Sequence, residues 1–199
     1  MVTSKQNKIL NLLSSRGAIR PRDLEKKGLS PQILYRLYRD GKVIRLARGL
    51  YASRDYEPTE YHGIIEVCSK IPKGVICLIS ALQFHQLTTQ LPHQVWIAID
   101  LKAWTPKIDA PTRITYFSGD AFNKGIEKHK IEGVEVKVYC PAKTVADCFK
   151  YRNKIGLDVA IEALRDCLSQ KKCSVDEIWK YAKVCRVANV MRPYLEASV

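Results

Sequence analysis

Gln32, Tyr35, Arg36 and Arg39 recur at the i, i+3, i+4 and i+7 spacing of one helix face, and their chemistry is that of a reader of base edges. A guanidinium offers a planar fork of donors that pairs in bidentate fashion with guanine. A carboxamide does the same for adenine, and each good pair contributes ~1 to 3 kcal/mol of discrimination. Ser30-Pro31 stands before them as an N-cap followed by a first-turn proline, and Asp40-Gly41 stands after them as a stop. Ile33, Leu34 and Leu37 fall on the other side. The spacing therefore predicts a helix from Pro31 to Asp40 whose apolar stripe is buried and whose polar face points into a major groove.

The segments around this helix must hold it. Ser4 is placed to cap a helix running to about Ser15, with Ile9, Leu10 and Leu13 on one side, Lys5, Lys8 and Asn11 elsewhere, and Gly17 at its end. Pro21 suits the first turn of a second short helix, with Leu24 inward, Lys26 and Lys27 near its end, and Gly28 as its stop. Two short strands follow, Val43 to Ala47 and Leu50 to Ser53, joined through Arg48-Gly49, so Arg45 and Arg48 sit at the edge or tip of a hairpin wing. Helix, helix, reading helix and wing make a winged helix-turn-helix. The expected DNA-binding residues are Ser30, Gln32, Tyr35, Arg36, Arg39, Arg45 and Arg48, with Lys5, Lys8, Arg20 and Arg22 as secondary basic contacts.

Charge points to the same partner. Residues 1–55 hold thirteen Lys and Arg against four Asp and Glu, so about a quarter of the chain carries +9 of the total +13. Charge concentrated on a small helical module is the footprint of a duplex binder, because Lys and Arg neutralise phosphates with release of condensed counterions. A protein-binding winged helix with a merely solvated basic face is the alternative reading. A composition that is 46% apolar and 27% charged describes a folded globular chain. No apolar run approaches the ~18 residues of a spanning helix. Met1 to Leu13 has no long apolar region or small-residue cleavage site, so no signal peptide, no membrane association and a cytoplasmic location are expected.

The seven cysteines are odd in number, lack a Cys-x-x-Cys pair and sit mostly in apolar surroundings; they read as small core residues of a reduced compartment. With the four histidines scattered, no metal site and no cofactor is expected.

Tyr56 to Thr59, with Pro58, reads as a joint, giving a DNA-binding domain over residues 1–55 and a larger domain over 56–199. In the larger part a helix is expected from Glu60 to Lys70. Val75 to Ile79 and Val95 to Ile99 are unbroken apolar runs, the signature of strands covered on both faces, with a short helix capped by Ser80 between them. Arg113 to Phe117 alternates as a third strand. Ile126 to Ile131 and Val134 to Tyr139 form a hairpin turned by Glu132-Gly133. Helices follow over 142–151, 157–169 and 174–185, with a last short segment over 187–196. The expected fold class is α/β or α+β, a mixed sheet of about five strands packed by helices.

Cys77, Ser80 and His85 have the types of a nucleophile and base, but capping, strand burial and helix position each explain one of them, and no third group is placed to orient the histidine. Lys143 and Asp147 read as a surface ion pair or as an inward Asp fastening its helix; a phosphate surface of Lys143, Thr144, Asp147, Lys150 and Arg152 is a third reading. Lys128, Lys130, Lys137, Arg152 and Lys154 are candidates for extending a basic footprint. No Gly-rich phosphate loop and no His-x-Glu deaminase pattern occurs, so an enzyme is not expected.

Three blocks carry a resemblance that spans nearly the whole chain: Arg48-Gly-Leu-Tyr51, Gly74-Val-Ile-Cys-Leu-Ile-Ser-Ala-Leu-Gln-Phe-His85, and Ala142-Lys-Thr-Val-Ala-Asp-Cys-Phe-Lys150. In order and spacing they resemble the AbiEi family of antitoxins of abortive-infection toxin-antitoxin systems. The resemblance implies a transcriptional autorepressor that binds inverted repeats near its own promoter through the winged helix, as two monomers or a dimer on DNA. It also implies a larger domain that counters a nucleotidyltransferase-type toxin, in a manner classed as indirect. The rival functions are a ligand-sensing transcriptional regulator and a nucleotide-acting enzyme directed to nucleic acid.

Overall fold

A computed structural model describes residues 4–47, 49–57 and 59–197, without the side chains of Arg16 and Ala47. Arg48 and Pro58, two residues of the sequence reading, lie outside the described residues. The backbone forms two compact units, one of residues 1–72 with 129–136, the other of residues 73–128 with 137–199. The fold is mixed α and β, with eleven helices, a three-stranded sheet and a five-stranded sheet among the described residues.

The first unit opens with α1 (Ser4–Arg16), β1 (Ala18–Ile19), α2 (Pro21–Glu25) and α3 (Pro31–Arg39). Then come the wing strands β2 (Val43–Ala47) and β3 (Leu50–Ser53), and α4 (His62–Lys70). Ser4 is itself helical rather than the cap, and α4 begins at His62 instead of Glu60. The strand β1, too short to be read from periodicity, pairs antiparallel with β3, and the sheet runs β1-β3-β2. Ile9, Leu13, Ile19, Leu24, Leu29, Leu34, Leu37, Val43 and Tyr51 form one core. At ~1.5 to 3 kcal/mol for each large apolar side chain fully removed from water, this cluster is what holds the three helices on the wing.

The second unit contains β4 (Val75–Ile76), α5 (Leu78–Phe84), β5 (Val95–Asp100), β6 (Thr112–Phe117) and α6 (Gly119–Asn123). The hairpin of β7 (Ile126–Ile131) and β8 (Val134–Tyr139) follows, with residues 129–136 at its tip assigned to the first unit. The helices α7 (Pro141–Lys150), α8 (Arg152–Ile155), α9 (Leu157–Ser169), α10 (Val175–Val184) and α11 (Ala188–Glu196) complete the chain. The sheet order is β6-β5-β4-β8-β7, with β4 antiparallel to β5 but parallel to β8, and β5 parallel to β6.

The expected strand over Val75 to Ile79 is only two residues long. Cys77 N still donates to Trp96 O, after which Leu78 takes a positive φ of 49° and the chain turns into α5. An unbroken apolar run suits a buried helix as well as a buried strand, and here it supplies both. Ser80 is therefore not a cap: it lies buried inside α5, and its Oγ accepts from Trp96 N at 2.9 Å.

Helix α7 is the centre of this unit. Every residue from Ala142 to Phe149 is buried, because the helix packs against α5, α9 and α10. Gly125, at φ 75°, lets the chain pass here: a Cβ at this position would sit 2.9 Å from Cβ of Lys143 and 3.0 Å from the ring of Tyr181. Lys143 is 0% exposed and Asp147 2% exposed. The surface ion pair and the phosphate surface are thus overturned, and the inward reading holds: Lys143 Nζ donates to Asp147 Oδ1 at 2.7 Å and Oδ2 at 2.5 Å.

The thiol reading is also corrected. Cys167 and Cys173 are joined as a disulfide, Cα atoms 6.0 Å apart across the turn between α9 and α10, while Cys68, Cys77, Cys140, Cys148 and Cys185 keep their thiols.

Candidate nucleic-acid interface

Helix α3 is built by local signals. Ser30, in extended conformation, accepts from Gln32 N at 3.3 Å; Pro31 occupies the first turn, where its missing N–H is not needed; and Gly41 leaves the helix at φ 68°. Leu34 and Leu37 are fully buried and Ile33 partly so, which fixes the rotation of the helix about its axis. The opposite face follows from that rotation. Gln32, Tyr35, Arg36 and Arg39 are all exposed, and with Ser30, Ile33 and Gln6 they line a concavity of about 510 Å³.

Five of the residues singled out from sequence thus share one surface: Ser30, Gln32, Tyr35, Arg36 and Arg39. Ser30 is there as the cap that starts the helix, and its hydroxyl already serves Gln32 N. Gln6, buried on α1, was missed; its polar type amid a helix hid its place in the lining of the concavity.

The wing grips α3 through aromatic edges. Tyr51 of β3 is buried, and the rings of Tyr35 and Tyr38 meet it edge-on at 6.0 and 5.7 Å between centroids. Offset and edge-on aromatic pairs add ~0.5 to 1.5 kcal/mol each beyond the area they bury, so Tyr35 and Tyr38 are held in place while remaining nearly half exposed. Tyr38 was not singled out from sequence, although it lies three residues after Tyr35. Arg45 is exposed on β2 and stands opposite Tyr51 in the strand register, next to an irregularity between Arg45 and Ala47.

Lys5, Lys8 and Arg22 are exposed, on α1 and α2. Arg20, directly before α2, is half-buried, and burial, followed by the neighbouring charge of Arg22, moves its pKa below the ordinary guanidinium value, against the opposing pull of Asp23. None of these four lines the concavity with Arg36 and Arg39.

The tempting residues of the second unit are not arranged for chemistry. Cys77 is buried, and burial pushes its thiol well above the ordinary value, away from a reactive thiolate. Ser80 is engaged with the Trp96 amide and His85 Nε2 lies 2.7 Å from the carbonyl oxygen of Tyr139, so the three do not form a relay. Among the described residues no group of three or more His, Cys, Asp or Glu could hold a metal ion, and no helix is long and apolar enough to cross a membrane.

Three comparisons bear on this module. A family model described as "Transcriptional regulator, AbiEi antitoxin" matches residues 7–54. No curated protein sequence matches the chain. Among solved structures, the RV2827C protein from Mycobacterium tuberculosis is similar in fold, with a TM-score of 0.58 at 12% identity over 100% of this chain and 81% of that one. The matched residues contain α2, α3, both wing strands, most of α1 and most of the surface described above; Lys5 and Gln6 lie just before them. This module is thus similar to the AbiEi antitoxin family of transcriptional regulators.

Proposed function

We propose that the chain is an antitoxin and transcriptional autorepressor that binds inverted repeats in its own promoter and counteracts a nucleotidyltransferase-type toxin without a stable complex, in the cytoplasm. Residues 1–55 act as the DNA-binding domain and residues 56–199 as the antitoxin domain. The observation that carries the DNA step is the division of α3 into two faces: Leu34 and Leu37 buried, and Gln32, Tyr35, Arg36 and Arg39 displayed together on a module of charge +9. Bidentate pairing by Arg36 and Arg39 supplies base discrimination, while Arg45, Arg48, Lys5, Lys8, Arg20 and Arg22 supply phosphate contacts. The antitoxin step rests on the family match and on the resemblance of the Gly74–His85 and Ala142–Lys150 blocks.

Binding of the pure protein to its own upstream region, measured across a tenfold range of salt, tests the first step. The log-log slope should be about −0.9 per phosphate neutralised. Arg36→Ala and Arg39→Ala should lower specific binding by roughly 5- to 150-fold and relax preference at particular bases, whereas Lys8→Ala should weaken all sequences alike. A flat salt response, or the same behaviour from all three variants, rejects the assignment. Growth arrest by a co-expressed neighbouring toxin in the presence of this chain rejects the antitoxin step alone.

A further inference from the structure

Three exposed large apolar side chains of the second unit gather at one end of one strand. Trp104 is 92% exposed, Leu101 62% and Tyr116 40%. They are displayed by an ordered turn: Ala103 N donates to Asp100 O and Lys102 N to Asp100 Oδ1, each at 2.8 Å. The same loop is fastened to β6, since Leu101 N donates to Phe117 O at 2.8 Å and the hydroxyls of Thr105 and Tyr116 lie 2.5 Å apart. Apolar groups held out in water by an ordered scaffold mark an interaction surface.

The strand beside them is an edge. In the sheet order β6 stands last and has β5 as its neighbour. Val95 N bonds to Pro111 O and Leu101 N to Phe117 O, so the odd-numbered residues of β6 turn their backbone groups toward β5. Those of Thr112, Ile114 and Tyr116 point away from the sheet, where Tyr116 O accepts one bond, from the hydroxyl of Tyr151 at 3.3 Å. Edges of this kind are commonly guarded by an outward charge. Here Arg113, the charged residue of the strand, lies over the Trp96 ring at 4.4 Å, drawn back toward β5.

Charge decides the occupant. Residues 95–120 carry Lys102, Lys107 and Arg113 against Asp100, Asp109 and Asp120, a balance of zero on a chain of +13. A nucleic acid strand needs a cationic surface. A second copy, itself strongly basic, is tolerated best where the local charge cancels, and an edge strand pairs antiparallel with its own copy about a two-fold axis because each presents the same alternation of donors and acceptors.

We propose that β6 pairs antiparallel with β6 of a second copy of this chain, the axis passing near Ile114, with Leu101, Trp104 and Tyr116 of each copy covered in the same interface. Such a dimer carries two winged helices, as an inverted repeat requires, yet the pairing does not rest on DNA binding.

Sedimentation equilibrium of the full chain, without DNA and across micromolar concentrations, is the test. The expected result is reversible association to twice the 22.7 kDa mass. Trp104→Glu should weaken the dimer at least tenfold, since it replaces a covered aromatic anchor with a charge. Ile114→Pro should do the same, since it deletes an outward N–H and leaves the ladder to β5 intact; circular dichroism of both variants monitors folding. A wild-type mass that stays monomeric, or a dimer equally tight in Trp104→Glu, overturns the proposal. Quenching of Trp104 by a single-stranded oligonucleotide with a monomeric wild type overturns it in favour of nucleic acid. Salt-dependent duplex binding is read separately and can succeed or fail independently of these results.

Discussion

Removing the carboxylate of Asp147 should destabilise the chain far more than an ordinary helix substitution. Its partner Lys143 is fully buried, with Nζ 4.2 Å from the centroid of the Tyr139 ring and 4.9 Å from that of Phe117. Cys185 Sγ donates to Asp147 Oδ1 at 3.2 Å, so the carboxylate is served from two sides. In Asp147→Ala the ammonium stays desolvated with only aromatic faces near it, a loss of about 3 to 5 kcal/mol. At about 2 to 4 °C per kcal/mol for a chain of this size, the melting temperature falls by roughly 6 to 20 °C. Replacing both partners, Lys143→Met with Asp147→Leu, removes the buried charge altogether and should be neutral or stabilising by up to about 4 kcal/mol. Urea denaturation followed by circular dichroism measures both. A loss below about 1 kcal/mol in the single variant, or an equal loss in the double, refutes the reasoning. The pH dependence has a definite sign. Burial pushes the Asp147 carboxyl up, and Lys143 pulls it partly back. Between the ordinary and the raised pKa the native chain holds a proton that the unfolded chain has lost, so stability falls as pH rises through that window. Wild type minus double variant should therefore decline with pH there, and a rising difference contradicts it.

Two further substitutions probe the first unit. Tyr51→Leu removes both edge contacts to α3, and should cost about 1 to 3 kcal/mol and lower base discrimination while keeping the salt slope; an unchanged melting temperature argues against the brace. Gly133→Ala should cost more than about 1 kcal/mol, because the residue sits at φ 76° and an added Cβ would lie 2.6 Å from the carbonyl oxygen of Ala18. Stability within about 0.5 kcal/mol of wild type by urea denaturation contradicts that close approach.

The elements legible in the sequence were those written in local signals. Ser30-Pro31 and Asp40-Gly41 bound α3 within a residue, and its spacing assigned the exposed and buried faces correctly. The Glu132-Gly133 turn was legible for the same reason, and both of its residues have positive φ, at 47° and 76°. The five-stranded mixed sheet followed from apolar runs and alternation. Less legible were features set by distant partners. Strand β1 exists because β3 pairs with it, and nothing within two residues announces that. Glu132, far along the chain, accepts from the hydroxyls of Tyr56 and Thr59, both at 2.6 Å.

By itself, then, the order of residues determined helix α3 and its two faces, the concentration of basic charge and the class of fold, because capping, periodicity and formal charge act within a few residues of one another. The tertiary structure decided which polar residues water reaches. Lys143 and Asp147 have the spacing of an exposed pair, and Ser80 the look of a cap, until α5, α9 and α10 close over one and Trp96 claims the other. Burial is a property of what packs on top, and the residues that do the packing stand tens of positions away.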